Sequence, residues 1–291
     1  MKRLHLILGP TASGKTTRAI QLAQQLETEI VSCDSRQCYS ELNIGVARPT
    51  PDELATVSHH FIACRSVQNP YNVFTYEQEA LACLNQLFQQ HDDVVAVGGS
   101  SLYIEALCHG IALLPDPDPE LRRQLQQQLR DEGVEPLRQM LKTLDPDYYA
   151  RVDLANGVRI QRALEVCLTT GRPYSQVINQ PRPQRPFQIH PIVVERSRDE
   201  LRQRINDRVN QMMVQGLEAE ARSLYSLRHL TPLNTVGYKE FFTAWDTNDP
   251  KEVDLQISNF NLQLAEGIKL NTWHYAKKQL TWLRKFMSCE L

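Results

Sequence analysis

Gly9-Pro-Thr-Ala-Ser-Gly-Lys-Thr16 limits what this chain can fold into more than any other stretch. An apolar run, residues 4–8, ends directly at it, and a helical run, residues 15–26, leaves directly from it. The spacing G-x-x-x-x-G-K-[ST] between a strand and a helix is a phosphate-binding loop in which each part has a task. Glycines let backbone N–H groups close around phosphate oxygens, and the helix start adds the positive end of its dipole. Lys15 brings a mobile charge, and Thr16 a hydroxyl suited to Mg2+. The loop implies a di- or triphosphate ligand, including ATP or another nucleotide, and leaves open what is done with it.

With 291 residues, 42% hydrophobic and 23% charged, the chain has room for one large α/β domain, a smaller appendage and an ample core. No apolar run nears the ~20 residues of a membrane span. Met1-Lys-Arg3 leads into a short apolar stretch that runs straight into the loop, so removal as a signal peptide would delete the motif. A cytoplasmic protein is expected, and nothing demands a partner chain, so a monomer is expected. The seven cysteines include no C-x-x-C pair, which favours reduced thiols in packing roles.

The net charge of −2 hides a segregation. Residues 159–208 hold ten arginines against five acids, and residues 267–285 hold five cations and no acid. Two basic segments on an acidic body suit a polyanion-binding groove. They equally suit two solvated helix faces.

Residues 1–114 alternate short apolar strands (4–8, 29–33, 94–97) with helical stretches, the pattern of a parallel sheet covered on both faces. Leu114-Pro-Asp-Pro-Asp-Pro119 breaks that pattern as a hinge. Helices are expected at 120–132, 136–144 and 158–169, then a second proline-rich crossing, Pro181-Arg-Pro-Gln-Arg-Pro186. Two such punctuations bracket an inserted helical subdomain, residues 115–187. A strand at 189–194 rejoins the sheet, and residues 188–291 complete the core and end in basic helices, with Ser197-x-x-Glu200 as a capping box.

Several residues could carry chemistry. Asp34 follows the second strand, where a carboxylate can ligate magnesium or act as a general base; it could also be an ordinary turn aspartate. Gly98-Gly-Ser-Ser101 ends another strand and could present amides and the Ser100 hydroxyl to the same edge, or serve only as a tight turn. Arg204 and Arg208 lie four apart beside an apolar stripe of Leu201, Ile205, Val209 and Met212. There they could reach a diphosphate, or simply pair with Asp207 or Glu200. His59-His60 lacks a third metal ligand, so a structural role is expected. Trp273-His-Tyr275 and Trp282 are interleaved with Lys277, Lys278 and Arg284, which fits either packing or an RNA-facing helix.

Taken in order, seven motifs closely resemble those of the bacterial tRNA dimethylallyltransferases, or tRNA isopentenyltransferases. They are the loop 9–16, Asp34-Ser-Arg-Gln-Cys-Tyr39, Asn43-Ile-Gly-Val-Ala-Arg-Pro49, Gly98-Gly-Ser-Ser-Leu-Tyr103, Arg159-Ile-Gln-Arg-Ala-Leu-Glu165, Thr235-Val-Gly-Tyr-Lys-Glu240 and Tyr275-Ala-Lys-Lys-Gln-Leu-Thr-Trp-Leu-Arg284. The likeness covers nearly the whole chain. It implies an α/β fold: a P-loop NTPase-like parallel-sheet core with an inserted helical subdomain that grips the anticodon stem-loop, and a helical C-terminal part. It implies transfer of a dimethylallyl group from dimethylallyl diphosphate to N6 of adenosine 37, in tRNAs that read codons starting with U.

By position, the resemblance assigns Gly9, Pro10, Thr11, Ala12, Ser13, Gly14, Lys15 and Thr16 to the diphosphate, with Mg2+ at Thr16. Asp34 would take the N6 proton, and Arg208 would stabilise the leaving diphosphate. Asp34, Ser35, Arg36 and Gln37, together with Ser100, Arg122, Val158, Arg159, Ile160, Gln161 and Arg162, would contact tRNA. Three positions depart from the family pattern: Ser100 stands for Thr, Trp273 for Arg, and Leu154-Ala-Asn-Gly157 precedes the arginine helix. Rival readings are an enzyme prenylating free adenine nucleotides, a small-molecule kinase or ATPase, and a non-catalytic RNA-binding module.

Overall fold

A computed structural model describes residues 1–69, 71–116, 118–179, 183–247 and 257–290, with the side chains of 257–260, 289 and 290 outside that description. The expected proline-rich crossings fall partly beyond it, at Pro117, Pro181 and Arg182. The chain forms two compact units, one of Met1–Cys108 with Arg185–Leu291 and one of His109–Gln184.

The first unit is built on a parallel sheet of β1 (Arg3–Leu8), β2 (Ile30–Cys33), β3 (His59–His60), β4 (Asp93–Gly98) and β5 (Gln188–Val193), in the order β3-β2-β4-β1-β5. Its strands are apolar runs because both faces are covered. Side-chain alternation shows this on β1: Leu4, Leu6 and Leu8 enter one core cluster and Ile7 the opposite one. Register places Cys33 beside Gly98 and Leu8 beside Val193, so the carboxyl ends of β1, β2, β4 and β5 share one edge. A Cβ on Gly98 would stand 2.4 Å from the Cys33 carbonyl oxygen, so only glycine lets β4 end there.

Between β1 and β4 lie α1 (Lys15–Gln25), α2 (Pro51–Thr56) and α3 (Val73–Gln90); α4 (Ser101–His109) follows β4. The second unit is helical: α5 (Pro119–Asp131), α6 (Glu135–Leu144), α7 (Pro146–Tyr149), α8 (Gly157–Thr170) and α9 (Tyr174–Ile178). They pack around Leu125, Leu137, Leu141, Ile160 and Leu164. Back in the first unit, β5 is followed by α10 (Arg198–Val214), α11 (Leu217–Leu224), α12 (Lys239–Thr247) and α13 (Ile257–Glu290). Among the described residues no helix is long and apolar enough to cross a membrane.

Three details differ from the sequence expectation. The first unit resumes at Arg185 rather than at residue 188. The Arg185 guanidinium is buried against Glu77 at 2.6 Å and donates to the carbonyls of Ala106 and Leu107 at 2.5 and 2.9 Å. His59-His60 forms an edge strand, β3, that is not among the expected strands, and His60 Nε2 is held against Glu29 at 2.8 Å. Only half of the 197–200 capping box forms: Ser197 accepts from the Glu200 N–H, while the Glu200 carboxylate turns to Arg196 at 3.3 Å. The reciprocal box sits instead at Thr50 and Glu53, at the start of α2.

Candidate active site

Backbone conformation shapes the loop after β1. Gly9 and Gly14 have φ of 153° and 95°, and Ala12 sits in the left-handed region at 64°. The Ser13 N–H closes the turn onto the Pro10 carbonyl at 3.2 Å. A Cβ at Gly9 would stand 2.8 Å from Ser13 Oγ and 2.9 Å from the Val194 carbonyl, so the loop needs glycine there. Ser13 Oγ is itself buried and has no hydrogen-bond partner among the described residues, as expected of a cradle whose partner is a ligand.

Side chains from distant segments hold this loop. Arg204 Nε donates to the Ala12 carbonyl at 2.8 Å and Arg196 Nε to the Ser13 carbonyl at 3.0 Å. Lys15 Nζ donates to the Pro10 carbonyl at 2.8 Å, and Arg208 Nη1 reaches Thr11 Oγ1 at 3.4 Å. Arg208 takes neither acid offered by the sequence: Asp207 is bound to Gln203 at 2.9 Å, and Glu200 is shared by Arg196 and Arg204. Burial first, and then the neighbouring Arg208, push the Lys15 ammonium down to about 8, against the attraction of Asp34. Arg208 is lowered in turn by burial and by Arg204. A multiply charged anion would relieve both cations at once.

Asp34 directly follows β2 and is a turn aspartate as well as a pocket residue. Its Oδ1 accepts from the N–H groups of Arg36 and Gln37 at 2.9 and 3.2 Å, an Asx turn that fixes the carboxylate. Ser100 Oγ accepts from the Ser35 N–H at 2.9 Å and donates to Ser35 Oγ at 3.1 Å, locking the β4 turn to that Asx turn. Thr11, Lys15, Thr16, Asp34, Ser100 and Arg208 all line one cavity of about 750 Å³. An apolar lining accompanies them: Ile44, Val46, Val209, Met212 and Ile268. Among the described residues no group of three His, Cys, Asp or Glu could hold a metal.

Sequence reasoning assigned no role to Glu220, which braces one wall of the pocket, and left Tyr275 and Trp273 open between packing and RNA. Glu220 accepts from the N–H groups of Ile44 and Gly45 at 2.9 and 3.0 Å and from Tyr238 Oη at 2.6 Å, and so fixes the 43–47 segment. Tyr275 lines the cavity together with Ser100 and Gln279. Although 42% of Tyr275 is exposed, its hydroxyl end is crowded, and that desolvation pushes the phenol up to about 12. Trp273 settles the packing-or-RNA alternative for its own ring, which is buried against Ala12, Ile205 and Ala276, with Arg198 and Arg202 over its face.

The remaining expected contact residues belong to the second unit. Arg122 grips Glu165 through two bonds, at 2.9 and 3.0 Å, and Gln161 and Arg162 add bonds at 2.8 and 3.0 Å. Burial works to raise the Glu165 carboxyl, but these donors prevail and hold it below the usual range. Ile160 and Gln161 are buried on the inner side of α8, whereas Val158 is 74% exposed and Arg159 is exposed.

Sheet, loop and cavity define an α/β protein with a cation-rich pocket at the carboxyl edge of a parallel sheet. The IPP transferase family model matches residues 37–286, and the chain belongs to that family. Over 286 residues it is 45% identical to tRNA dimethylallyltransferase 1 of Bacteroides thetaiotaomicron, covering 98% of this chain and 89% of that protein. It is 44% identical over 282 residues to tRNA dimethylallyltransferase 2 of Porphyromonas gingivalis, covering 97% and 91%. Among solved structures it is similar to the full-length tRNA isopentenylpyrophosphate transferase of Bacillus halodurans, with a TM-score of 0.66, 31% identity, and coverage of 98% of this chain and 87% of that one.

Proposed function

We infer that the chain transfers a dimethylallyl group from dimethylallyl diphosphate to an adenosine of tRNA, at N6 of adenosine 37 in tRNAs reading codons that start with U. One observation carries the assignment of roles: the phosphate loop, Asp34 and Arg208 line a single cavity that also has an apolar lining. In this reading the core is P-loop NTPase-like, residues 109–184 form the RNA-facing insertion, and the protein acts as a cytoplasmic monomer.

An allylic carbon bearing diphosphate needs little push, so catalysis is mainly charge stabilisation at the departing oxygens, supplied by Lys15, Arg208 and the loop amides. Thr16 suits Mg2+, which takes few protein oxygens when phosphates complete its shell and which, when bound, adds positive charge at the leaving group. The buried, unpartnered Ser13 Oγ supports a cradle built for an oxyanion. Adenine N6 is a weak nucleophile because its lone pair is delocalised. As the N6–C bond forms and the C–O bond breaks, Asp34 takes the N6 proton, held in place by its Asx turn. Extruding the base costs a few kcal/mol, least in an unpaired loop.

Ser35, Arg36, Gln37 and Ser100 position the base, and Arg122, Val158, Arg159 and Arg162 meet the RNA. Ile160 and Gln161 hold α8 beneath them. Mass analysis of tRNA nucleosides after incubation with dimethylallyl diphosphate and Mg2+ tests the reading: a dimethylallyl adduct on adenosine is expected. An unmodified tRNA, or modification of free adenine nucleotides in preference to tRNA, would refute it.

A further inference from the structure

Gln279 lies one helical turn beyond Tyr275 on α13 and is 7% exposed. Its Oε1 accepts from the Thr11 N–H at 2.8 Å, and its Nε2 donates to the Gly99 carbonyl at 2.8 Å. One amide therefore links the loop after β1 to the turn after β4, across sequence separations of 268 and 180 residues. The orientation is forced, because a flipped amide would set donor against donor and acceptor against acceptor. Gly99 is shaped to the same contact: a Cβ there would stand 2.5 Å from Gln279 Nε2. Thr11 precedes Ala12, the loop residue in a left-handed conformation that side chains resist.

We propose that Gln279 is a positioning residue for the prenyl donor, clamping the phosphate loop in its diphosphate-binding shape before the donor arrives. The inference rests on the function proposed above and adds to it a residue on the cavity wall that acts through the loop it holds. Thr11 N–H and the Gly99 carbonyl occupy the two ends of the buried amide, so a tRNA contact is not its task. Without the clamp, the loop must be ordered by the donor itself, which weakens binding without changing the chemistry of the bound complex.

Gln279→Met keeps length and bulk and removes the amide. The expected result is an about tenfold rise in donor KM, the weight of one to two hydrogen bonds in a buried setting, with kcat at saturating donor and tRNA affinity changed less than about threefold. Calorimetry with inorganic diphosphate should show the same loss. Gly99→Ala, which displaces the amide, should raise donor KM similarly, and the double variant should be no worse than either single one. Leu283→Ala, one turn further along α13 and buried, serves as the folding control and should leave donor KM unchanged. An unchanged donor KM in Gln279→Met, a loss confined to tRNA binding, or an equal rise in Leu283→Ala would overturn the proposal. A wild-type protein that fails to prenylate tRNA would instead overturn the function on which it rests.

Discussion

Lys15 should make the ligand-free protein less stable than it could be, and the effect should depend on pH. Its ammonium falls from 10.5 to about 8 on folding, so between those values the unfolded chain holds more protons and stability rises with pH. Below about 8 both states are protonated and the whole penalty is present, about 3 kcal/mol at 1.36 kcal/mol per unit. Lys15 lines an open cavity and is only partly buried, so water there screens the charge, and about half of that figure is the working value. Lys15→Met removes the penalty and also the bond to the Pro10 carbonyl, worth about 1 kcal/mol, so the two nearly cancel at pH 7.

The difference between two pH values is cleaner. From pH 7 to pH 9.5 the wild type should gain about 1 kcal/mol on the variant as its Lys15 deprotonates in the folded state. Urea titrations of both proteins at the two pH values measure this, since every other titrating group is common to them. Inorganic diphosphate should stabilise the wild type at pH 7 and leave Lys15→Met nearly unaffected. A stability gap that does not change with pH would show that the cation is not strained, and the electrostatic account of the loop would fall.

Asp34→Asn keeps an Oδ acceptor for the Asx turn and removes the proposed base. Single-turnover prenylation should fall about 100-fold or more, with donor affinity within a few-fold of wild type. Glu165→Ala leaves three donors without their acceptor. Thermal unfolding or proteolysis within 109–184 should show a loss of about 2–3 kcal/mol, discounted for the partly exposed arginines. Because the Glu165 carboxyl is lowered on folding, its contribution in the wild type is present above the unfolded carboxylate range and lost as pH falls through the folded value. Met212→Ala should enlarge the apolar lining, and competition between dimethylallyl and geranyl diphosphate in tRNA prenylation should shift toward the longer chain by about 1–2 kcal/mol of selectivity.

What the chain disclosed in one dimension was contiguous. Residues 9–16 carry the glycines and the lysine of the loop in one run, and β1, β2 and β4 are short apolar runs whose ends put Asp34 and Ser100 at one edge. What stayed hidden depends on distant partners. β3 has only two residues, both histidine, and exists because register sets His59 beside Ile30. The 43–47 segment is shaped by Glu220, more than 170 residues away, and Arg122 is held by a carboxylate 43 residues on. Trp273 could not be assigned from spacing because a helical face carrying rings and cations looks the same whether it packs or meets RNA. Ala12 and Ile205 on its ring decide the matter. Ser197 and Glu200 had the spacing of a capping box, but two arginines compete for the carboxylate.

Placing charge and grease on the same short helix explains how so small a donor could be held. Arg204, Arg208 and Met212 recur every four residues along α10, with Val209 beside them, and a turn advances about 5.4 Å. That is the scale of a diphosphate followed by a five-carbon tail. Arg204 and Arg208 spend their donors on the loop, at Ala12 and Thr11, while Val209 and Met212 belong to the second core cluster with Ile268 of α13. In the proposed reading the loop meets the anion through elements anchored in that same core, so a shift of α10 would move the loop contacts and the apolar lining together. Met212, buried at 9% exposure, is therefore the side chain of that lining whose truncation tests whether close packing sets the length of tail accepted.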